Sequence, residues 1–184
     1  MTDKTNSDKE NHKHNKVFAQ TLLTTISSII VAAAVIVLIC SFILPVFKVT
    51  GDSMTPTLSK RDYILCNKNA DIKKGDVIAF YHNRKVLIKR VIGTSNDIIN
   101  LLDDGTVELN GKKLNEPYVS EKAVGETDIT YPFTVPESSF FVMGDKRDTS
   151  IDSRSTAVGC INEEDIIGKV YMKILPLGSF GKIK

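Results

Sequence analysis

Ser53 lies in Gly51-Asp52-Ser53-Met54-Thr55-Pro56-Thr57-Leu58, a few residues beyond a long uncharged apolar run. A serine hydroxyl becomes a nucleophile when a base stands beside it. Lys89 is the candidate base. It sits in Val86-Leu87-Ile88-Lys89-Arg90-Val91-Ile92-Gly93, a strand-like run whose period of two puts Leu87, Lys89 and Val91 on one face. Apolar neighbours disfavour the charged ammonium, and a lysine that is partly neutral near pH 7 can take a proton from serine. A third segment, Gly144 to Arg154, sets Asp145, Asp148 and Asp152 among Arg147, Arg154, Ser150 and Ser153. Together the three segments offer amide hydrolysis a nucleophile, a base and a polar scaffold to hold them.

Each segment alone is ambiguous. A Gly-x-Ser beside proline is an ordinary turn, a strand lysine is ordinarily solvated, and a dense run of charges is ordinarily a surface loop. Arg90 follows Lys89 on the opposite face of the strand, and periodicity does not say which face is the core. The case for chemistry rests on their combination after an apolar segment.

That segment runs from Val17 to Phe47 without a charged residue. As a helix it would extend about 46 Å, more than the roughly 30 Å hydrocarbon core of a bilayer. Its most apolar part, Ile26 to Leu44, holds twelve Ile, Leu, Val or Phe residues. At about −0.3 to −0.6 kcal/mol each, these favour insertion by roughly 4 to 7 kcal/mol before the polar Ser and Thr are counted. Pro45 supplies a helix stop. The flank Phe42 to Phe47 lacks a small-x-small cleavage site, so the run reads as an uncleaved signal anchor rather than a removable signal. The expected organisation is a disordered tail over 1–16, a transmembrane anchor over 17–47 and a catalytic domain over 48–184. The tail carries four lysines against three acidic residues, and Lys48, Lys60 and Arg61 follow the anchor, so charge counting nearly ties on orientation.

Beyond the anchor, short β-branched and aromatic runs alternate with turn residues: 62–67, 76–81, 86–92, 97–102, 106–109, 140–143 and 166–175. This predicts a mainly β domain. Asn110-Gly111 suits a type I′ hairpin, and residues 120–138 read as an irregular connection. Twenty Lys and Arg against nineteen acidic residues from Lys48 onward leave no basic face for nucleic acid. His12 and His14 lie in the tail and His82 stands alone, so no spacing suggests a metal, and no cofactor motif appears. Cys66 and Cys160 read as buried thiols, with a disulfide between them left open.

The three segments, with Lys74 to Phe80, Leu109 to Tyr118 and Ile166 to Lys169, resemble the type I signal peptidases, in the compact single-anchor form of Gram-positive bacteria. The resemblance implies a membrane-bound serine endopeptidase that removes signal peptides from exported preproteins after a small-x-small site. It implies Ser53 and Lys89 as the catalytic dyad, Ser150 as the group orienting the lysine, and ion pairs of Asp145, Arg147, Asp152 and Arg154 holding the box. It places the substrate, an extended strand, against Phe47, Val49, Gly51, Met54, Leu58, Ile64 and Ile88. Family members with a serine two residues before the nucleophile use it as an oxyanion donor. Here that position is Gly51, which leaves the Ser53 backbone N–H and whatever second donor the fold supplies. Lys146 and Thr149 stand where the commonest form of the box has Asn. The family also implies a single pass through the cell membrane, a cytoplasmic N-terminus, an extracytoplasmic catalytic domain, and the bilayer and the secretion translocon as partners. Self-cleaving repressors share such a dyad but carry a DNA-binding domain where this chain has an apolar span. A non-catalytic, membrane-tethered peptide binder is the other alternative, and the presence of both dyad residues weighs against it.

Overall fold

The computed structural model describes residues 4–183. Contacts divide the chain into two compact units, Met1–Phe42 and Ile43–Lys184. The first is a single helix, α1, over Lys4–Ile43. Within it Lys16–Leu38 has a mean hydropathy of 2.4 and none of that stretch is buried, so it is long and apolar enough to cross a membrane. Its polar side chains suit that setting: the hydroxyls of Thr21, Thr25 and Ser27 donate to the carbonyls of Val17, Thr21 and Leu23 at 2.8–2.9 Å. Each donor is thereby satisfied within the helix.

Two expected boundaries move. The tail over 4–16 forms the first turns of α1. Extending an existing helix adds a hydrogen bond for each residue fixed, without a new nucleus, and lysine and glutamate are good helix formers. At the other end α1 stops at Ile43, two residues before Pro45, as the restriction on residues preceding proline requires. Residues 46–48 are therefore strand rather than anchor.

The second unit is built of antiparallel strands. These are β1 (Val46–Lys48), β2 (Tyr63–Asn67), β3 (Val77–His82), β4 (Lys85–Gly93), β5 (Ile98–Leu101) and β6 (Val107–Leu109). They continue as β7 (Lys112–Lys113), β8 (Phe133–Thr134), β9 (Ser139–Met143), β10 (Ile161–Asn162), β11 (Ile166–Leu175) and β12 (Gly181–Lys182). One sheet has the order β1-β2-β11-β3-β4-β9-β10 with β12 beside β11, and a second has the order β7-β6-β5-β8. All seven runs read as strands from the sequence are strands. The strands not foreseen are two or three residues long, too short to carry a periodic signal.

Two hairpins fix the register. Asn110 and Gly111 take φ of 52° and 76°, the left-handed pair a type I′ turn requires, and join β6 to β7. Asn83 and Arg84 do the same at 48° and 62° between β3 and β4. That turn sets Ile78 opposite Lys89 and Val77 opposite Arg90. Alternate β4 residues then enter different apolar clusters. Val86 and Ile88 pack against a cluster that includes Val49, Met54, Leu58, Ile64 and Cys66, while Leu87 and Val91 belong with Ile78, Phe80 and Val142. Cys66 and Cys160 are free thiols in different clusters, so they do not pair.

Candidate active site

Ser53 lies in the loop between β1 and β2, where Thr55 N–H donates to the Asp52 carbonyl at 3.0 Å and Leu58 N–H to Met54 at 2.8 Å. This tight turn lifts the Ser53 hydroxyl toward β4. Lys89 Nζ stands 2.9 Å from Ser53 Oγ and 2.8 Å from Ser150 Oγ. The two hydroxyls hold the amine from two sides. Lys89 is only 4% exposed, and burial lowers its pKa from 10.5 to about 8, against the opposing pull of the Asp152, Asp145 and Asp52 carboxylates. Arg154 works in the same direction as burial. A hydroxyl within hydrogen-bond reach of an amine with that basicity can be deprotonated near neutral pH.

Behind Lys89 the polar groups form a closed chain. Ser150 Oγ donates to Asp152 Oδ2 at 2.6 Å, the Gly144 N–H donates to the same oxygen at 2.9 Å, and Arg154 grips both Asp152 oxygens at 2.8 and 2.9 Å. Burial alone would raise the Asp152 pKa, but the Arg154 guanidinium, the Ser150 hydroxyl and the Gly144 N–H outweigh it and hold the carboxyl below its ordinary value. Asp152 thus stays ionised and accepts from Ser150, whose hydroxyl in turn accepts from the Lys89 amine. Gly144 is obligatory here. A Cβ on it would lie 2.2 Å from Ser150 Oγ and 2.6 Å from the Ser53 carbonyl oxygen, closer than atoms approach.

The other ion pairs differ from expectation in their partners. Asp152 and Arg154 pair within the box, but Asp145 is held bidentately by Arg90 at 2.8 and 2.7 Å, and Arg147 by Glu116. Thr57 also bonds Asp145, and the Tyr118 ring lies 3.9 Å from the Arg90 guanidinium. Arg90, Glu116, Thr57 and Tyr118 thus belong to the site, although sequence reasoning gave them no part in it. The signals were present: Arg90 is adjacent to Lys89, and Glu116 and Tyr118 fall in the Leu109 to Tyr118 run. The sequence also posed a choice between Lys89 and Arg90 for the core, and both are buried, at 4% and 1% exposure. Arg90 is accommodated because its charge meets the Asp145 carboxylate, whereas Lys89 meets two hydroxyls and responds to burial with a lowered pKa.

Beside Ser53 opens a cavity of about 150 Å³, lined by Phe47 to Gly51, Ser53, Met54 and Val86 to Lys89. Five of the seven expected substrate residues line it: Phe47, Val49, Gly51, Met54 and Ile88. Leu58 and Ile64 do not. They have no exposed surface and pack in the cluster with Val49 and Met54, because their positions in the turn and on β2 point them into the core. Open space surrounds the Cβ position of Gly51.

A sequence profile of the family described as signal peptidase, peptidase S26, matches residues 22–175. Signal peptidase I P of Bacillus subtilis subsp. natto is 32% identical over 183 residues, covering 92% of this chain and 95% of that one. Signal peptidase I of Bacillus licheniformis is 33% identical over 188 residues, covering 95% and 97%. Signal peptidase IB of Staphylococcus aureus (strain N315) is 34% identical over 179 residues, covering 86% and 92%. A crystal structure of a signal peptidase I from Enterococcus faecalis V583 aligns with a TM-score of 0.47 at 28% identity, covering 55% of this chain and 97% of that one. With a family match across most of its length and relatives above 30% identity along nearly all of theirs, the chain belongs to the signal peptidase family, peptidase S26.

Proposed function

We propose that this chain removes signal peptides from exported preproteins as a serine endopeptidase of the signal peptidase I type, with Ser53 as nucleophile and Lys89 as general base. The observation that carries the assignment is the 2.9 Å contact between Ser53 Oγ and the buried Lys89 amine. Neutral Lys89 accepts the Ser53 proton as Oγ attacks the scissile carbonyl. The tetrahedral oxyanion is met by the Ser53 backbone N–H. As the intermediate collapses, the Lys89 ammonium gives its proton to the departing amine, leaving an ester on Ser53. Lys89 then activates the water that hydrolyses it.

The cavity accounts for selection. Its volume of about 150 Å³ suits small side chains, and its lining by β1-side residues and Val86 to Ile88 offers an extended peptide two flanking backbones. The Lys16–Leu38 span anchors the enzyme in the cell membrane, in our reading as a single pass with the N-terminus cytoplasmic and the catalytic domain on the outer face. That topology puts the domain where signal peptides emerge, beside the bilayer and the secretion translocon.

The test is cleavage of a preprotein with an Ala-x-Ala site by the detergent-solubilised chain. Ser53→Ala and Lys89→Arg should both lose processing, since arginine keeps the charge but cannot act as a base near neutral pH. Substantial turnover by Ser53→Ala would remove the nucleophile assignment, and turnover by Lys89→Arg would remove the base.

A further inference from the structure

One pair of charges beside Ser53 takes no part in the buried network. Lys146 Nζ lies 3.7 Å from Asp52 Oδ2, with the two side chains 36% and 69% exposed. The pair is nevertheless attached to the nucleophile. Asp52 precedes Ser53 in the chain, and the Lys146 backbone N–H donates to the Ser53 carbonyl at 3.0 Å. Neither residue lines the cavity, although Gly51 and Ser53 on either side of Asp52 both do. The Asp52 side chain thus turns away from the space that receives the acyl half of the substrate.

The route of the other half follows from the chemistry. The departing amine must come within reach of Lys89 Nζ to collect its proton. The cavity occupies one side of the dyad, and residues Gly144 to Ser150 form the other wall: Ser150 bonds Lys89, Gly144 packs on the Ser53 carbonyl, and Lys146 bonds it. Asp145 and Arg147 in that wall are buried and paired. The Asp52–Lys146 pair presents charge to solvent beside Ser53, and Asp148 in the same wall is exposed as well.

We propose that Asp52 and Lys146 form a charged rim on the leaving-group side of Ser53, which lets the site accept either charge on the residues that follow the scissile bond. This rests on the reading of Ser53 as nucleophile. An exposed pair at 3.7 Å is held weakly, so an incoming charge exchanges with one member of it at little cost. A basic residue at the start of the released chain takes Asp52, and an acidic one takes Lys146. Both kinds of mature N-terminus are therefore accepted by the intact rim. Removing one member leaves the other unopposed and gives the site a preference it lacked.

The test uses the full-length solubilised enzyme and two preproteins identical except for Asp or Lys as the first residue after the cleavage site. The readout is the ratio of their kcat/KM values, in which any common effect on Ser53 cancels. Asp52→Asn should shift the ratio about two- to fivefold toward the Asp substrate, and Lys146→Gln should shift it about as far toward the Lys substrate, as expected for exposed charges. Both shifts should shrink in 1 M salt. Lys146→Gln retains the backbone donor to Ser53, so its effect isolates the amine. Ratios that stay at the wild-type value in both variants, or rates that fall equally for both substrates, overturn the rim. Ser53→Ala run alongside separates the two failures: if it is inactive while the ratios do not move, only the rim is refuted, and if it still cleaves, the catalytic reading falls and the rim with it.

Discussion

Replacing Lys89 with methionine keeps an unbranched side chain of similar reach and removes the charge. Burial lowers the Lys89 pKa from 10.5 to about 8, which amounts to about 3 kcal/mol of preference for the neutral amine in the folded state. Below pH 8 the amine is protonated in both folded and unfolded chains, and the folded state carries that cost in full. Between pH 8 and 10.5 the unfolded chain holds the extra proton, so wild-type stability rises with pH, and above 10.5 the cost is gone. Methionine never carries it, but it forfeits the hydrogen bonds to Ser53 and Ser150, about 1 kcal/mol each. Ser150 keeps its bond to Asp152, and half-buried Ser53 can turn to water. Lys89→Met should therefore be more stable than wild type by about 1 kcal/mol at pH 7 and less stable by about 2 kcal/mol at high pH. Urea unfolding of both solubilised chains at pH 7 and pH 10, followed by circular dichroism, reads the difference. Every other titrating group is common to the two proteins and cancels. A stability difference that is the same at both pH values would show that Lys89 is not desolvated in the fold, and would remove the physical basis for its role as base.

The same pKa governs rate. Processing at saturating enzyme stability should climb about tenfold per pH unit and level off near pH 8, whereas a limb near 10.5 would mark a solvated lysine. Ser150→Ala should lower kcat by about 100-fold with little change in KM, because it frees Lys89 to swing while leaving the cavity intact; a pure KM effect would place Ser150 in substrate binding. Gly144→Ala should abolish activity even where the protein folds, since its methyl would displace Ser150 or the Ser53 loop. Retention of more than a tenth of the wild-type rate would contradict that crowding. Gly51→Ser has open space around the new Cβ, so it should fold normally and raise kcat up to about tenfold by adding an oxyanion donor. A fall in kcat would mean that the hydroxyl points elsewhere.

The Ser53–Lys89 pairing was legible in the combination of a turn-forming Gly-x-Ser next to proline with a lysine inside a periodic strand, and the two side chains do meet. Ser150 and Asp152 were legible through resemblance. The partners of Asp145 and Arg147 were not. A bidentate pair between residues 90 and 145, or between 116 and 147, depends on which strands become neighbours, and the β3–β4 hairpin and β9 pairing that decide this leave no trace in the charges themselves. Leu58 and Ile64 show the opposite limit. Their apolar character fits a substrate pocket and a core equally, and only the direction of each side chain tells them apart. The strands of two residues, such as β7 and β10, are shorter than the period that would reveal them. The start of α1 inside a polar tail likewise follows from the helix behind it rather than from its own composition.

The contacts on which the proposed role of Lys89 rests are drawn from distant parts of the chain: Ser53 stands 36 residues before it and Ser150 61 residues after. A polypeptide synthesised only as far as β9 has its nucleophile and its lysine but none of the wall that excludes water from the amine. In that state Lys89 lacks Ser150 and the cover of residues 144–154, so the burial that lowers its pKa is incomplete. Hydrolytic power therefore arrives together with the last third of the fold. An incomplete or misfolded copy lacks the Ser150 contact and the full burial on which the proposed base depends.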